Sequence, residues 1–231
     1  MPRAIKKRAK KKGSDEIDVQ EKLADIKDTF ARKQKTVIMY GLGALAVIVV
    51  VAGFFIYRST MKEQARQLEY EAYKVFYNEY SSGQTPPKER FQKALDLFKR
   101  AYAKHNSPRA LLYIANSYYA LGDYDNALSQ LVEFTGKYSD NKDLLPLAYK
   151  EMADIQLMKG NKEEALKTLD KLYRLPGNIY KDFALVESAR ILESEGKHED
   201  AVAKYREITE KFKGSPFYDE AKAKLGEKKE G

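Results

Sequence analysis

Apolar and polar residues are distributed along this chain in three regimes. Residues 1 to 35 are polar and highly charged, residues 36 to 57 carry no charge, and residues 58 to 231 return to a mixed pattern with helical spacing. The middle stretch, TVIMYGLGALAVIVVVAGFFIY, is fenced by Lys33 and Lys35 before it and Arg58 after it. Roughly 20 apolar residues in a helix cross a hydrocarbon core of about 30 Å. The β-branched run Val47 to Val51 would suit a strand in water. In lipid, a lone segment satisfies its own backbone only as a helix. A core helix of a globular protein seldom goes so long without a polar residue. The pattern therefore predicts one transmembrane helix. Its apolar part exceeds the roughly 7–15 residues of a cleaved signal peptide, and no small-x-small site follows it, so an uncleaved signal-anchor is expected.

Ahead of the span, Val19, Leu23, Ile26 and Phe30 recur at helical spacing, and Asp15, Glu16 and Asp18 suit the positive end of a helix dipole. A short interfacial helix is predicted there. Before it, RAIKKRAKKK (residues 3–12) carries seven positive charges and should be disordered. Such a run holds its segment in the cytoplasm. It could also touch anionic lipid, or RNA and ribosomes through phosphates. Nearer the span the bias is small, five Lys/Arg in residues 16–35 against four in residues 58–77. The expected arrangement is a basic cytoplasmic tail at 1–35, a span at 36–57 in a bacterial inner membrane, and a periplasmic domain at 58–231.

Charge counts sharpen the division. Residues 1–35 hold 12 of the 42 Lys/Arg and 6 of the 34 Asp/Glu, which leaves 30 and 28 for everything else. The basic pI of 9.2 thus belongs largely to the tail. A nucleic-acid-binding domain would carry that charge on its folded part. There is no cysteine, hence no disulfide framework, thiolate metal site or lipidated Cys.

The C-terminal regime repeats itself. A small residue, a glycine seven positions on and an alanine five further on occur as Ala115/Gly122/Ala127, Ala153/Gly160/Ala165 and Ala189/Gly196/Ala201. Four and seven residues past each last alanine stand Leu131 and Phe134, Leu169 and Leu172, Tyr205 and Ile208. The copies start 38 and 36 residues apart, a solenoid period. Alanines let two antiparallel helices approach closely, and each glycine ends the first helix in a left-handed turn. Asp123, Asn161 and the acidic residues Glu163, Glu164, Glu199 and Asp200 favour the start of the second.

IANSYYALGDYDNAL (Ile114–Leu128) resembles a tetratricopeptide repeat (TPR), and the other copies are similar. They depart at Gln156 and Leu192, where the family prefers Tyr, and Ser139 replaces the helix-ending Pro of the first copy. A degenerate unit precedes them, with helices at 62–81 and 87–104 separated by the insertion SSGQTPP, and Ser215 to Leu225 reads as a capping helix. The fold implied is all-α: one transmembrane helix, then a TPR-type solenoid of about four helix pairs and a C-terminal cap. The layout, together with segments such as EKLADIKDTFARKQK, resembles the ancillary SecYEG-translocon subunits of bacteria. That resemblance implies work beside the translocon with periplasmic chaperones.

No chemistry-bearing constellation stands out. His105 is expected in a loop before a helix and His198 in the turn GKHED, neither with a second ligand at metal spacing, and neither a nucleophile elbow nor a phosphate loop is present. No catalytic residue, cofactor or metal is expected. Partner binding is expected instead on the concave face formed by the first helix of each unit. Its residues are Arg109, Leu112, Asn116 and Tyr119, then Lys150, Asp154 and Leu157, then Val186, Arg190 and Glu193. The mixture fits a polypeptide better than phosphates. Some TPR domains hold a C-terminal carboxylate with a Lys-Asn-Asn-Lys-Arg clamp. Here only Asn116 matches, the other places holding Leu112, Glu151, Phe183 and Glu187. Tyr70, Tyr73, Tyr77 and Tyr80 form a stripe that either packs inward or offers an aromatic strip to a partner. The function expected is a membrane-anchored scaffold for translocon components, chaperones or secreted clients. The alternative is a cytoplasm-facing receptor or assembly scaffold with the same domain.

Overall fold

The computed structural model describes residues 14–78 and 86–226, and all the regular structure in them is helical. Nine helices occur among the described residues: α1 (Ser14–Tyr77), α2 (Pro87–Lys104), α3 (Pro108–Ala120), α4 (Tyr124–Lys137), α5 (Leu145–Met158), α6 (Lys162–Arg174), α7 (Lys181–Ser194), α8 (His198–Lys211) and α9 (Tyr218–Lys224). The chain divides between Thr60 and Met61 into two compact units.

The first unit is the longer part of α1. It contains the one described helix that is long and apolar enough to cross a membrane, and none of its most apolar window is buried within the protein. The separate interfacial helix expected around residues 19–30 does not exist as an element of its own. Neither Gly nor Pro stands between Ser14 and Tyr40, and Ala31, Arg32, Lys33, Gln34 and Lys35 are good helix formers, so the helix runs on without a break. Thr36 and Thr60 satisfy their hydroxyls by donating to the carbonyls of Arg32 and Ile56, four residues back. The basic run at 3–12 lies outside the described residues.

The second unit is built from pairs. Residues 61–77 of α1 precede α2, and then α3/α4, α5/α6 and α7/α8 come in turn, each helix packing mainly on its neighbours in sequence. The first helix of the degenerate repeat, expected at 62–81, stops at Tyr77, where Asn78 takes a left-handed conformation (φ 58°) that asparagine tolerates better than most residues. Every alanine picked out by the repeat pattern is buried, as are Leu131, Phe134, Leu169, Leu172, Tyr205 and Ile208.

The apolar clusters do not coincide with the pairs. One joins Leu111, Leu112 and Ala115 of α3 and Leu131 and Phe134 of α4 to Met152 and Ile155 of α5. The next joins Ala153 of α5 and Leu169 of α6 to Ala184 and Ile191 of α7. The last joins Val186, Tyr205 and Ala221, from α7, α8 and α9. Each of these pairs is thus closed by the next helix in the stack.

The turns inside the pairs share one geometry. Gly122, Gly160 and Gly196 sit at φ 79°, 76° and 76°. The amides of Asp123, Asn161 and Lys197 donate to the carbonyls of Tyr118, Gln156 and Leu192 at 2.9, 2.8 and 2.9 Å. This is the paired hydrogen-bond pattern of a glycine C-cap. At the start of the second helices the copies differ. The Asp123 carboxylate accepts from the Asn126 amide at 3.2 Å, whereas Asn161 makes no side-chain cap and α6 relies on Glu163 and Glu164 in its first turn.

A Cβ added at Gly160 would meet no atom within 4 Å, so Gly160→Ala adds backbone strain and nothing else. It should destabilise the domain by about 1 kcal/mol. Gly136, inside α4, is equally uncrowded but has no positive φ. Gly136→Ala should stabilise by roughly 0.5–1 kcal/mol. Urea unfolding of both variants checks the opposite signs.

Candidate partner-binding groove

The first helices of the three clear units, α3, α5 and α7, carry the residues that the repeat register selects for partner contact. The structure separates them into three groups. Leu112 and Val186 are not available: both are buried, Leu112 between α3, α4 and α5, Val186 between α7, α8 and α9. The register places them on the inner helix, but an apolar side chain there is claimed by the next helix in the stack. Leu157 is half-buried against the α5–α7 cluster.

Arg190 and Glu193 are committed to the end of the chain. Arg190 donates to both carboxylate oxygens of Glu220 on α9, from Nε at 2.9 Å and from a terminal nitrogen at 2.5 Å, and also pairs with Glu187. Glu193 accepts from Lys224 of α9 at 2.6 Å and from the Tyr205 hydroxyl at 3.2 Å. These charged residues dock the last helix. Arg109 remains exposed at the other end of the set.

The third group converges. Asn116 and Tyr119 of α3 and Asp154 of α5 line one cleft of about 370 Å³, together with Phe76 from the end of α1 and with Glu151 and Ile155 of α5. Lys150 Nζ pairs with Asp154 Oδ2 at 2.8 Å and lies over the Phe183 ring, 4.7 Å from its centroid. Glu151 has no such partner for its Oε2, which is buried without a hydrogen bond. Burial pushes the Glu151 carboxyl from 4.5 up to about 7, against the opposing pull of the Asn116 amide and of Lys150, with Asp154 adding to the rise. Tyr119 is fixed from two sides. Its hydroxyl donates to the Met158 sulfur at 3.4 Å, and its ring lies 5.7 Å from that of Tyr124. Among the described residues no group of three or more His, Cys, Asp or Glu could hold a metal. The cleft therefore presents two carboxylates, an amide and aromatic rings.

Residues 27–227 match the family model of the tetratricopeptide repeat-like domain. The chain belongs to that family. The matched region takes in the apolar stretch as well as the helix pairs. Among solved structures the chain is similar to a Podosopora anserina protein described as a putative kinesin light chain with nearly identical TPR-like repeats. There the identity is 16%, covering 71% of this chain and 84% of the other, at a TM-score of 0.50. A crystal structure of MamA shares 21% identity over 60% of this chain and 77% of its own, at 0.48. A thermophilic TPR protein of Thermus thermophilus shares 14% over 71% and 98%, at 0.34. At 16% identity the first of these speaks to fold alone. No curated protein matches the sequence.

In the TPR-like domain the tyrosine stripe splits. Tyr73 packs edge-on against Phe98 and Tyr113, with ring centroids 5.2 and 4.6 Å away. Tyr70 and Tyr77 are exposed, Tyr70 under Lys74 and Tyr77 sharing a 2.7 Å hydrogen bond with the Tyr113 hydroxyl. Tyr80 lies outside the described residues. The register did place Glu151 and Phe183 in the groove, as positions where a carboxylate clamp is missing. What it left out were Ala120 and Ile155 of the inner helices and Phe76, which belongs to α1 and carries no repeat signature.

Tyr73→Ala should lower stability by about 2–3 kcal/mol, and Tyr70→Ala by no more than about 0.5 kcal/mol. Thermal melting separates the two. Glu151 makes a prediction about pH. Its proton is held more tightly in the folded state, so the stability linked to that proton is full below pH 4.5 and is lost as pH rises to about 7. Glu151→Gln removes this loss. The variant should match the wild type near pH 4.5 and exceed it by up to about 3 kcal/mol above pH 7.5. Denaturant titrations at several pH values measure the difference.

Proposed function

We propose that the protein is a membrane-anchored TPR scaffold. The tail at residues 1–35 is cytoplasmic, residues 36–57 form the anchor, and the TPR-like domain faces the periplasm. There it binds proteins beside the secretion machinery and assists chaperones associated with the translocon. The observation that carries this reading is α1. A 64-residue helix holds 22 uncharged residues whose most apolar window is unburied among the described residues, behind a leader with seven positive charges in ten positions. The charge asymmetry supports a cytoplasmic tail. The family, which works by binding proteins, supports a partner role without catalysis. Anchoring confines the groove to the membrane plane and raises its effective concentration for membrane partners.

A second reading, a cytoplasm-facing receptor or assembly scaffold, is favoured by one observation. Lys/Arg number five and four in the twenty residues on either side of the apolar stretch, a bias too small to fix orientation without the distal tail.

Protease protection of a C-terminal tag decides between them. Cleavage once the outer envelope alone is opened is the expected result. Protection until the inner membrane is lysed supports the second reading. In-cell cross-linking through the domain should recover translocon components, periplasmic chaperones or secreted clients, and recovery of none of these overturns the secretion role.

A further inference from the structure

We propose that the cleft between the end of α1, α3 and α5 seats one lysine or arginine side chain of an extended polypeptide lying across the first helices, with Glu151 as its counter-ion. The inference rests on the reading of this domain as a protein-binding module and names the feature of the partner that it selects.

The charge count points to a cation. Two carboxylates, Glu151 and Asp154, line the cleft. One ammonium, Lys150, lies beside them and is paired with Asp154 at 2.8 Å. Glu151 is left with a buried oxygen that no group in the protein satisfies. An unpaired buried acceptor costs roughly 1–3 kcal/mol and more when charged, and a ligand N–H or ammonium removes that cost. A carboxylate or phosphate ligand would meet two carboxylates and one committed lysine.

Shape and surface narrow the ligand further. About 370 Å³ is at the small end of ligand pockets, enough for a single long side chain and too little for a folded element. Phe76 and Ile155 supply apolar wall for the methylene stem, and the Phe76 and Tyr119 rings line the same space, where a ring face attracts a cation. Tyr119 is held in advance by Met158 and Tyr124, which lowers the cost of ordering it on binding. The surface next to the cleft is accessible: Tyr119 is 40% and Met158 58% exposed. A free amine would leave that apolar surface in water, whereas a polypeptide covers it.

Ionisation adds a second signature. The carboxyl of Glu151 is pushed up to about 7 by burial, and the charged groups acting on it are Lys150 and Asp154 of its own helix. From α3 it faces the neutral Asn116 amide. A cation binds the ionised form, so affinity should rise between pH 6 and pH 8.

The test uses the full chain in an uncharged detergent and short blocked, dye-labelled alanine/serine peptides with one central residue varied. Fluorescence anisotropy at pH 8 should show lysine and arginine peptides binding roughly ten-fold or more tightly than norleucine and N-acetyl-lysine peptides, as expected for a desolvated charge-assisted hydrogen bond. Glu151→Gln, which keeps shape and gains stability above pH 7.5, should reduce lysine to the norleucine level and abolish the rise with pH. Equal binding of lysine and norleucine peptides overturns the proposal. So does a lysine preference that survives Glu151→Gln, or no binding of any peptide at millimolar concentration. Lysine preference without cross-linking to secretion partners would leave the cleft in place and remove its proposed location. Recovery of those partners without lysine preference would do the reverse.

Discussion

A helix pair of this kind has apolar surface on two sides and closes only one of them. That constraint runs through the domain. The cluster holding Leu131 and Phe134 is completed by Met152 and Ile155 of the following pair, and the cluster holding Leu169 and Leu172 by Ala184 and Ile191 of the one after. Stability in such a stack is a sum of unit terms and interface terms, and no unit stands without a neighbour. The alanines at the helix crossings are the local means: a larger side chain at Ala115, Ala153 or Ala189, all buried, would hold the helices apart and open both interfaces at once.

A stack needs its two ends closed, and the ends are closed by different chemistry. At the C-terminus α9 contributes little apolar area. Ala221 is its one fully buried residue, and Glu220 and Lys224 bind Arg190 and Glu193. Both pairs are partly exposed, so each contributes modestly. Their consequence for function is larger, because they take the charged residues of α7 out of the groove. At the other end an aromatic cluster, Tyr73, Phe76, Phe98 and Tyr113, closes the first pair against α3. It leaves Phe76 reaching the cleft. Of the residues that the repeat register selects, those that line the cleft therefore come from α3 and α5.

The repeat architecture was legible because its signals are backbone-level. Glycine at a left-handed turn and alanine at a close helix crossing are required wherever the geometry recurs, and every position chosen on those grounds has the predicted burial or φ. The groove was legible only in part. Register says which side of a helix faces inward but not whether a neighbouring helix already covers it, and so it selects Leu112 and Val186 although they belong to the core. Arg190 and Glu193 were missed as docking residues because α9, the element that engages them, lies about 30 positions away. The break expected before the apolar stretch followed from a change in composition. Helix continuity depends on the absence of Gly, Pro and caps, and between Ser14 and Tyr40 none of these intervenes.

Glu151 is the residue that stability alone does not explain. Six other residues of α5, Leu145, Pro146, Ala148, Met152, Ala153 and Ile155, are buried apolar residues that serve packing. A glutamine or leucine in its place would spare the desolvation of a carboxylate, which an empty cleft does not repay. Asn116 and Lys150 offset that penalty without cancelling it, since the carboxyl remains pushed up to about 7. A local cost kept beside an accessible aromatic wall is the pattern of a site that is completed by something outside the chain. The groups already present determine what that something is. Lys150 is committed to Asp154, Asn116 is neutral, and the remaining deficit is one positive charge.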